Sequence, residues 1–223
     1  MFVVGKPALV IGKALIIADL HIGITRELYE SGVSMPSQIK DMTDKIHELK
    51  KATRTKQLII LGDIKHKVPG ISWQELKEVP EFLSSLEFEK IVIVKGNHDG
   101  SIEKMIEGIN KVRIRKSIVV GDYLLTHGHR NVKTKKNIVI AHNHPHIRFR
   151  DRFGAIYTEP VWVRGSINGR ELIVMPAFNE LCGATIVNKD ALLGPIAKKI
   201  RNAHAFLLDG TDLGLIKDLK LEE

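Results

Sequence analysis

Lys90-Ile-Val-Ile-Val-Lys95-Gly-Asn-His98-Asp99 is a short β-branched run that breaks at once into a glycine, an amide, an imidazole and a carboxylate. An apolar run of this length, too short for a helix, reads as a strand buried on both faces. The chain repeats the arrangement four more times. Ala14-Leu-Ile-Ile-Ala18 runs into Asp19-Leu-His21, and Gln57-Leu-Ile-Ile-Leu61 runs into Gly62-Asp63. Asp122-Tyr-Leu-Leu-Thr126 ends at His127-Gly-His129, and Asn137-Ile-Val-Ile-Ala141 ends at His142-Asn-His144. Sites in open α/β sheets form beyond the carboxyl ends of the strands. All five strands therefore deliver Asp, Asn or His to one edge.

The segments between the strands fit the same plan. Ile39, Met42, Ile46 and Leu49 stand at helical spacing and predict a helix over 36–54, with Pro36 suited to its first turn. Ser72-Trp-Gln-Glu75 is a capping-box pattern that opens a second helix, which Pro80 should kink or split. From about 154 the pattern turns to strands with Gly turns, at 155–164, 171–175, 184–187 and 205–216, with Asp209-Gly210 as a hairpin turn. No linker or repeat interrupts the chain. It reads as one α/β domain over 1–223, two packed sheets with helices outside. Residues 177–223 carry no recognisable chemistry and are expected to complete the second sheet. Trp73 and Trp162 read as packing residues.

Composition sets the outer limits. At 43% hydrophobic and 27% charged, the 223 residues are ordinary globular material and not a disordered tail. The single cysteine, Cys182, excludes an internal disulfide, a Cys-based zinc site and an iron–sulfur cluster, and points to a cytoplasmic protein. Lys6 and Lys13 cut the early apolar runs too short for a signal peptide or membrane span. An excess of 34 basic over 26 acidic residues, +8 in all, favours an anionic partner such as nucleic acid, although Lys- and Glu-rich surfaces also occur in thermophile proteins. Aromatic residues make up only 5%, which argues against a base-stacking platform.

Each motif alone has a plain explanation: Asp-x-His can cap an element, and Gly-Asp after an apolar run is usually a turn. Their recurrence at five strand ends has none. Carboxylate, amide oxygen and imidazole suit manganese, iron or zinc. Seven such groups suffice for two ions about 3.5–4 Å apart that share a carboxylate, activate a water and stabilise an in-line phosphoryl displacement. A further histidine beside them can donate a proton to the leaving oxygen.

The order Asp-x-His, Gly-Asp, Gly-Asn-His-Asp, His and His-x-His over 19–144 resembles the calcineurin-like metallophosphoesterase superfamily. Ala18-Asp-Leu-His-Ile-Gly23, Glu30-Ser-Gly-Val-Ser-Met-Pro36 and Leu61-Gly-Asp-Ile-Lys-His66 resemble its ICC-like group, which includes the ligase-associated DNA-repair nucleases. The resemblance implies a four-layer α/β/β/α sandwich with two mixed sheets, and a dinuclear centre with manganese ahead of iron or zinc. It implies that Asp19, His21 and His144 hold one metal, that Asn97, His127 and His142 hold the other, and that Asp63 bridges them. His98 would be the general acid, oriented by Asp99. Ala141 departs from the glycine usual before the last motif, with a slightly shifted loop expected. Either His127 or His129 serves as the ligand; the usual pattern takes the first and leaves His129 to the substrate or to outer contacts.

His66 either reaches the substrate phosphate or is a loop histidine. Arg130, with Lys133, Lys135 and Lys136, either steers a phosphate backbone or forms a solvated turn; Arg148, Arg150 and Arg152 form an alternating stripe that could track phosphates. The expected function is a metal-dependent phosphodiesterase or nuclease, acting on a phosphodiester that includes DNA or RNA. The alternatives are a small-molecule phosphodiesterase or nucleotide pyrophosphatase, and a non-catalytic scaffold. No membrane partner is expected, and a homodimer is open.

Overall fold

Strand register levels the ends of the first sheet. In the computed structural model, which describes residues 1–219, this sheet runs β1 (Leu9–Ile11), β2 (Ala14–Ile17), β3 (Gln57–Ile60), β4 (Lys90–Val94) and β5 (Val112–Arg115). β1 is antiparallel to β2, and the other neighbours are parallel. Ile17 pairs with Ile60, and Ile60 with Ile93, so the three loops that follow leave the sheet at one height.

The second sheet contains β6 (Ile118–Val120), β7 (Tyr123–Leu125), β8 (Asn137–Ile140), β9 (Pro145–Arg150), β10 (Ile156–Ile167), β11 (Arg170–Val174) and β12 (Thr185–Ile186). Their spatial order is β12-β9-β10-β11-β8-β7-β6, with β13 (Arg201–Leu207) paired to β10, and β14 (Asp212–Leu215) paired to β13. β7, β8 and β11 run parallel, and most other pairs are antiparallel. β10 changes partner along its length: residues 156–160 pair with β9, and 161–167 with β11 and β13.

Alternation of side chains builds three apolar layers. Leu15, Ile17, Leu58, Ile60, Ile91 and Ile93 face the two helices that follow the short α1 (Ile24–Glu30), namely α2 (Ile39–Thr53) and α3 (Trp73–Ser85), which contribute Met42, Ile46, Leu49, Val79, Phe82 and Leu83. Ile16, Ile59 and Val92 face the other way, onto Leu125, Val139, Trp162 and Ile173 of the second sheet. Ile138, Ile140, Val161, Val163, Leu172 and Val174 point outward under a short helix, Gly194–Ala197, and a 3-10 turn, Ile216–Asp218. This is the expected four-layer sandwich with two mixed sheets. Its fourth layer is one helical turn and loops. Burial of both faces explains the unbroken apolar runs. No helix among the described residues is long and apolar enough to cross a membrane. Of the expected domain over 1–223, positions 220–223 lie outside the described residues.

Several local expectations change. The helix over 36–54 begins at Ile39. α3 has its capping box but runs through Pro80 without splitting. The carbonyl that loses its partner belongs to Leu76, a residue on the solvent face, where water can replace the bond. The run 205–216 becomes β13 and β14 about the Asp209-Gly210 turn. Trp162 is fully buried and stacks on Phe2 at 4.3 Å, whereas Trp73 is exposed at the start of α3.

Glu75 does more than cap α3. Buried completely, its carboxylate accepts from the backbone N–H of His66 (2.9 Å), Lys67 (2.6 Å) and Ser72, and so holds the loop after β3. Glu75→Ala is expected to lower unfolding free energy by about 2–4 kcal/mol, since bonds to a charged acceptor contribute about 1.5–3 kcal/mol each and water regains part of the loss. Urea denaturation measures it, and Glu75→Gln should lose less.

Candidate metal centre

The loops that leave β2, β3 and β8 carry their functional residues in left-handed backbone. Asp19 (φ 54°), His21 (43°), Asp63 (49°), His142 (72°) and His144 (42°) all lie there. A non-glycine residue in this region costs about 1–2 kcal/mol, tolerated where surroundings fix it. The fixing contacts are backbone bonds between loops: Asp19 N–H to the Gly62 carbonyl (3.1 Å) and His21 N–H to the Asp63 carbonyl (2.9 Å). Two glycines make room. A Cβ on Gly62 (φ 87°) would stand 2.2 Å from the His127 ring, and one on Gly96 would stand 2.1 Å from Asp63 Oδ1.

Asp19 and Asp63 converge at 0% and 2% exposure. His127 Nε2 lies 3.1 Å from Asp19 Oδ1 and 3.3 Å from Asp63 Oδ2. His144 Nε2 lies 3.6 Å from Asp19 Oδ1, and His21 Nε2 lies 3.9 Å from Asp63 Oδ2 and 3.4 Å from His144 Nε2. The His142 N–H donates to Asp19 Oδ2 (3.2 Å), and its side chain groups with Asp63 and His127. No Lys or Arg pairs with either carboxylate among the described residues. Buried carboxylates need a positive partner or metal, and the side chains that meet them here are imidazoles. This donor set fits a divalent ion of the manganese, iron or zinc type.

The electrostatics follow from that crowding. Burial would raise Asp19, but His144 and His127 hold it well below the usual carboxylate range. Burial opposes a charge on His127 too, yet contact with both carboxylates holds its pKa up to about 10. His21 goes down to about 3, chiefly through burial.

Outer contacts fix the rings. His21 Nδ1 meets His66 Nδ1 at 3.2 Å, and His66 Nε2 meets Glu27 Oε2 at 2.7 Å. With His66 donating to Glu27, its Nδ1 accepts from His21, and the His21 Nε2 lone pair turns toward Asp63 and His144. His129 Nδ1 stands 3.0 Å behind His127 Nδ1, so His127 is the member of its pair that faces the carboxylates. His144 Nδ1 donates to the Gly183 carbonyl (2.8 Å). The Ala141 methyl packs fully buried between the sheets, and His142 keeps its place.

Two expectations are corrected. Asp99 does not orient the His98 ring: its oxygens accept from the N–H groups of Asp63 (2.9 Å), Ile64 (2.9 Å) and Gly96 (2.8 Å), which knots two loops together. Burial and Asp63 push Asp99 up to about 6, against the pull of those N–H groups. The His98 ring instead donates from Nδ1 to the His66 carbonyl, while its N–H donates to Asp63 Oδ1 (2.8 Å). Segment 177–223 is not chemically silent. Besides Gly183, it supplies Asn179, which donates to the Leu20 carbonyl (2.8 Å), and Cys182, whose thiol groups with His21 and His144. Burial pushes that thiol up, with Asp19 and Asp63 adding to the effect. The thiol is thus a further candidate donor beside the two imidazoles. Asn97 and Arg130 are exposed and make no side-chain hydrogen bond among the described residues. Glu27 and Cys182 escape sequence reasoning because each is an ordinary residue outside every motif, and Glu75 is marked only as half of a capping box.

The calcineurin-like phosphoesterase pattern matches residues 12–175. The chain belongs to that family and is a hydrolase of phosphoester bonds; the family's metal centre is dinuclear. Among solved structures, the nuclease MPE of Pseudomonas putida is similar at 21% identity and TM-score 0.62, over 90% of this chain and 88% of that one. Yfce, a phosphoesterase from E. coli, is 14% identical with TM-score 0.46, over 90% and 96%. Curated protein sequences give no match.

Gly62→Ala and Gly96→Ala are expected to cost about 2–4 kcal/mol each, through forced movement of His127 and Asp63. Gly154→Ala has a φ of 88° and open space around it, and should cost only about 1 kcal/mol. Denaturant titration of the three variants separates backbone strain from collision.

Proposed function

We propose that the protein is a metal-dependent phosphodiesterase that acts on nucleic acid. The observation that carries this reading is the pair of buried carboxylates, Asp19 and Asp63, whose side-chain partners are imidazoles and include no lysine or arginine among the described residues. Asp19, His21 and His144 would hold one ion, Asn97, His127 and His142 the other, and Asp63 would be shared. When bound, two such ions supply an activated water and charge stabilisation for in-line displacement at phosphorus. Manganese is our first choice, before iron or zinc. The +8 charge favours a polyanion over a small diester, and the P. putida neighbour of the same fold is a nuclease. The single, unpaired cysteine supports a reducing compartment, the cytoplasm.

The chain's own work is orientation and proton delivery. With Nδ1 of His98 held by the His66 carbonyl, Nε2 is the nitrogen left to protonate the departing oxygen. Asp99 fixes the two loops that carry Asp63 and His98 and so acts through the backbone. Glu27 and His66 set the tautomer of His21, a carboxylate–histidine support of the kind that usually backs a metal ligand.

Hydrolysis by metal-stripped protein, given back manganese, zinc or magnesium, tests the reading. The substrates are a chromogenic diester, a monoester, and single- and double-stranded DNA and RNA. Manganese-dependent cleavage of diester and nucleic acid is expected; diester cleavage alone would move the function to a small-molecule phosphodiesterase, and inactivity with metal bound would indicate a scaffold. His98→Asn should cut turnover by about 10²–10⁴-fold with metal content unchanged. Asp63→Asn should lower metal content itself, read by elemental analysis; full occupancy there would argue against a shared carboxylate.

Glu27 is mostly exposed, so its loss leaves the fold intact. Glu27→Gln is expected to weaken metal binding by about tenfold, the low end for such outer partners. Equilibrium dialysis against manganese measures it, with Glu30→Gln as the neighbouring control.

A further inference from the structure

The hairpin of β9 and β10 begins at the residue after His144 and leads away from the centre. Its rungs are His146 with Pro160, Ile147 with Glu159, Arg148 with Thr158, Phe149 with Tyr157, and Arg150 with Ile156. At the tip, Asp151 Oδ1 accepts from the N–H of Phe153 (2.8 Å) and Ala155 (3.0 Å), so the acid of the turn is engaged in making it. The distal half is unusually apolar for a projecting element. Phe149 is 44% exposed, Phe153 81%, Ile156 56% and Tyr157 45%. Exposed apolar patches of this kind mark interaction sites.

The rings are already arranged as a platform. Phe149 and Tyr157 lie 5.5 Å apart with planes at 18°, and the Arg152 guanidinium sits 4.7 Å over Phe153. Arg148 and Arg150 occupy the opposite face of the hairpin, beside Thr158 and Ile156. Of ten phenylalanines and tyrosines in the chain, three are gathered here. Sparse aromatics overall argue against base stacking; their concentration at the end of one hairpin reverses the argument.

We infer that this hairpin is a binding arm for single-stranded nucleic acid, with bases stacked on Phe149, Phe153 and Tyr157 and phosphates met by Arg152 beside them. Such combinations of rings and basic side chains are how strands are held without sequence preference. A second copy of the chain fits less well, because two arms in contact would set arginines against arginines. β9 has six residues, at about 3.3 Å each, so the tip stands about 20 Å from His144. A stacked strand advances about 3.4 Å per nucleotide, which places the platform about five or six nucleotides from the centre. The inference deepens the nuclease reading and rests on it.

The test is fluorescence anisotropy of the full-length protein, without metal and with chelator, against labelled single-stranded DNA and RNA. Strands of about four, eight and sixteen nucleotides bracket the reach of the arm. Wild type should bind the two longer strands more tightly than the shortest. Phe149→Ala and Phe153→Ala should each weaken that binding by about 5- to 150-fold, the range for losing one stacked base. Arg152→Gln should flatten the salt dependence, and circular dichroism checks that every variant folds. Chromogenic diester turnover, which does not reach the arm, should stay at the wild-type level.

Absent binding by wild type, or equal binding by wild type and the ring variants, would overturn the arm. So would ring variants whose only effect in sedimentation is to turn a dimer into monomers, which would make the hairpin a contact between copies. Failure of strand binding with diester turnover intact removes the arm alone. Strand binding intact with no turnover under any metal removes the hydrolytic reading alone.

Discussion

Asp19 and Asp63 are two negative charges held together out of water, and most of the molecule's local geometry serves to make that tolerable. Their mutual repulsion and desolvation oppose folding, and no lysine or arginine reaches them among the described residues. Within the protein, positive charge comes from His127, poised between both carboxylates. A proton on that ring and a divalent ion are alternative answers to one electrostatic demand. Competition of this sort makes metal affinity depend on pH.

The two sheets meet at this point. Asp19, His21 and Asp63 come from the first sheet, and His127, His142 and His144 from the second. The apolar layer between the sheets is non-directional, while the contacts among these six side chains depend on position to within tenths of an ångström. Any ion held by both groups therefore ties the layers together at their common rim. Outer partners extend the same logic: Glu27 through His66 from one side, Gly183 from the other.

Much of this arrangement is legible in the amino-acid sequence, for a physical reason. Strands buried on both faces produce unbroken apolar runs, and donors placed at strand ends must follow those runs directly, as in Val94 to His98 or Ile140 to His144. Short-range order in sequence thus mirrors position in space. Glu27, Asn179 and Cys182 reach the centre over long sequence separations, from a helix and a late loop, and no local pattern marks them; the pattern at Glu75 marks a helix cap and not its hold on the loop after β3. Asp99 shows the limit of a motif, which gives its location and not its role. Its place beside His98 suggests a side-chain contact, whereas the tight turn directs its oxygens to four backbone N–H groups. Short strands at or near sheet edges, such as β5 and β6, leave no clear pattern because half their residues need no apolar side chain.

The left-handed residues at the rim link loop shape to chemistry. Among non-glycine residues, Asn, Asp and His tolerate that conformation best, and Asp and His are the residues found at all five positions. Loop shape and donor chemistry therefore filter for the same small alphabet. An Asp-to-Asn exchange at such a position alters charge with little conformational penalty, so it isolates the electrostatics. A branched aliphatic residue would lose the donor and strain the loop in one step. At these positions, foldability and reactivity are written in the same letters and fail together.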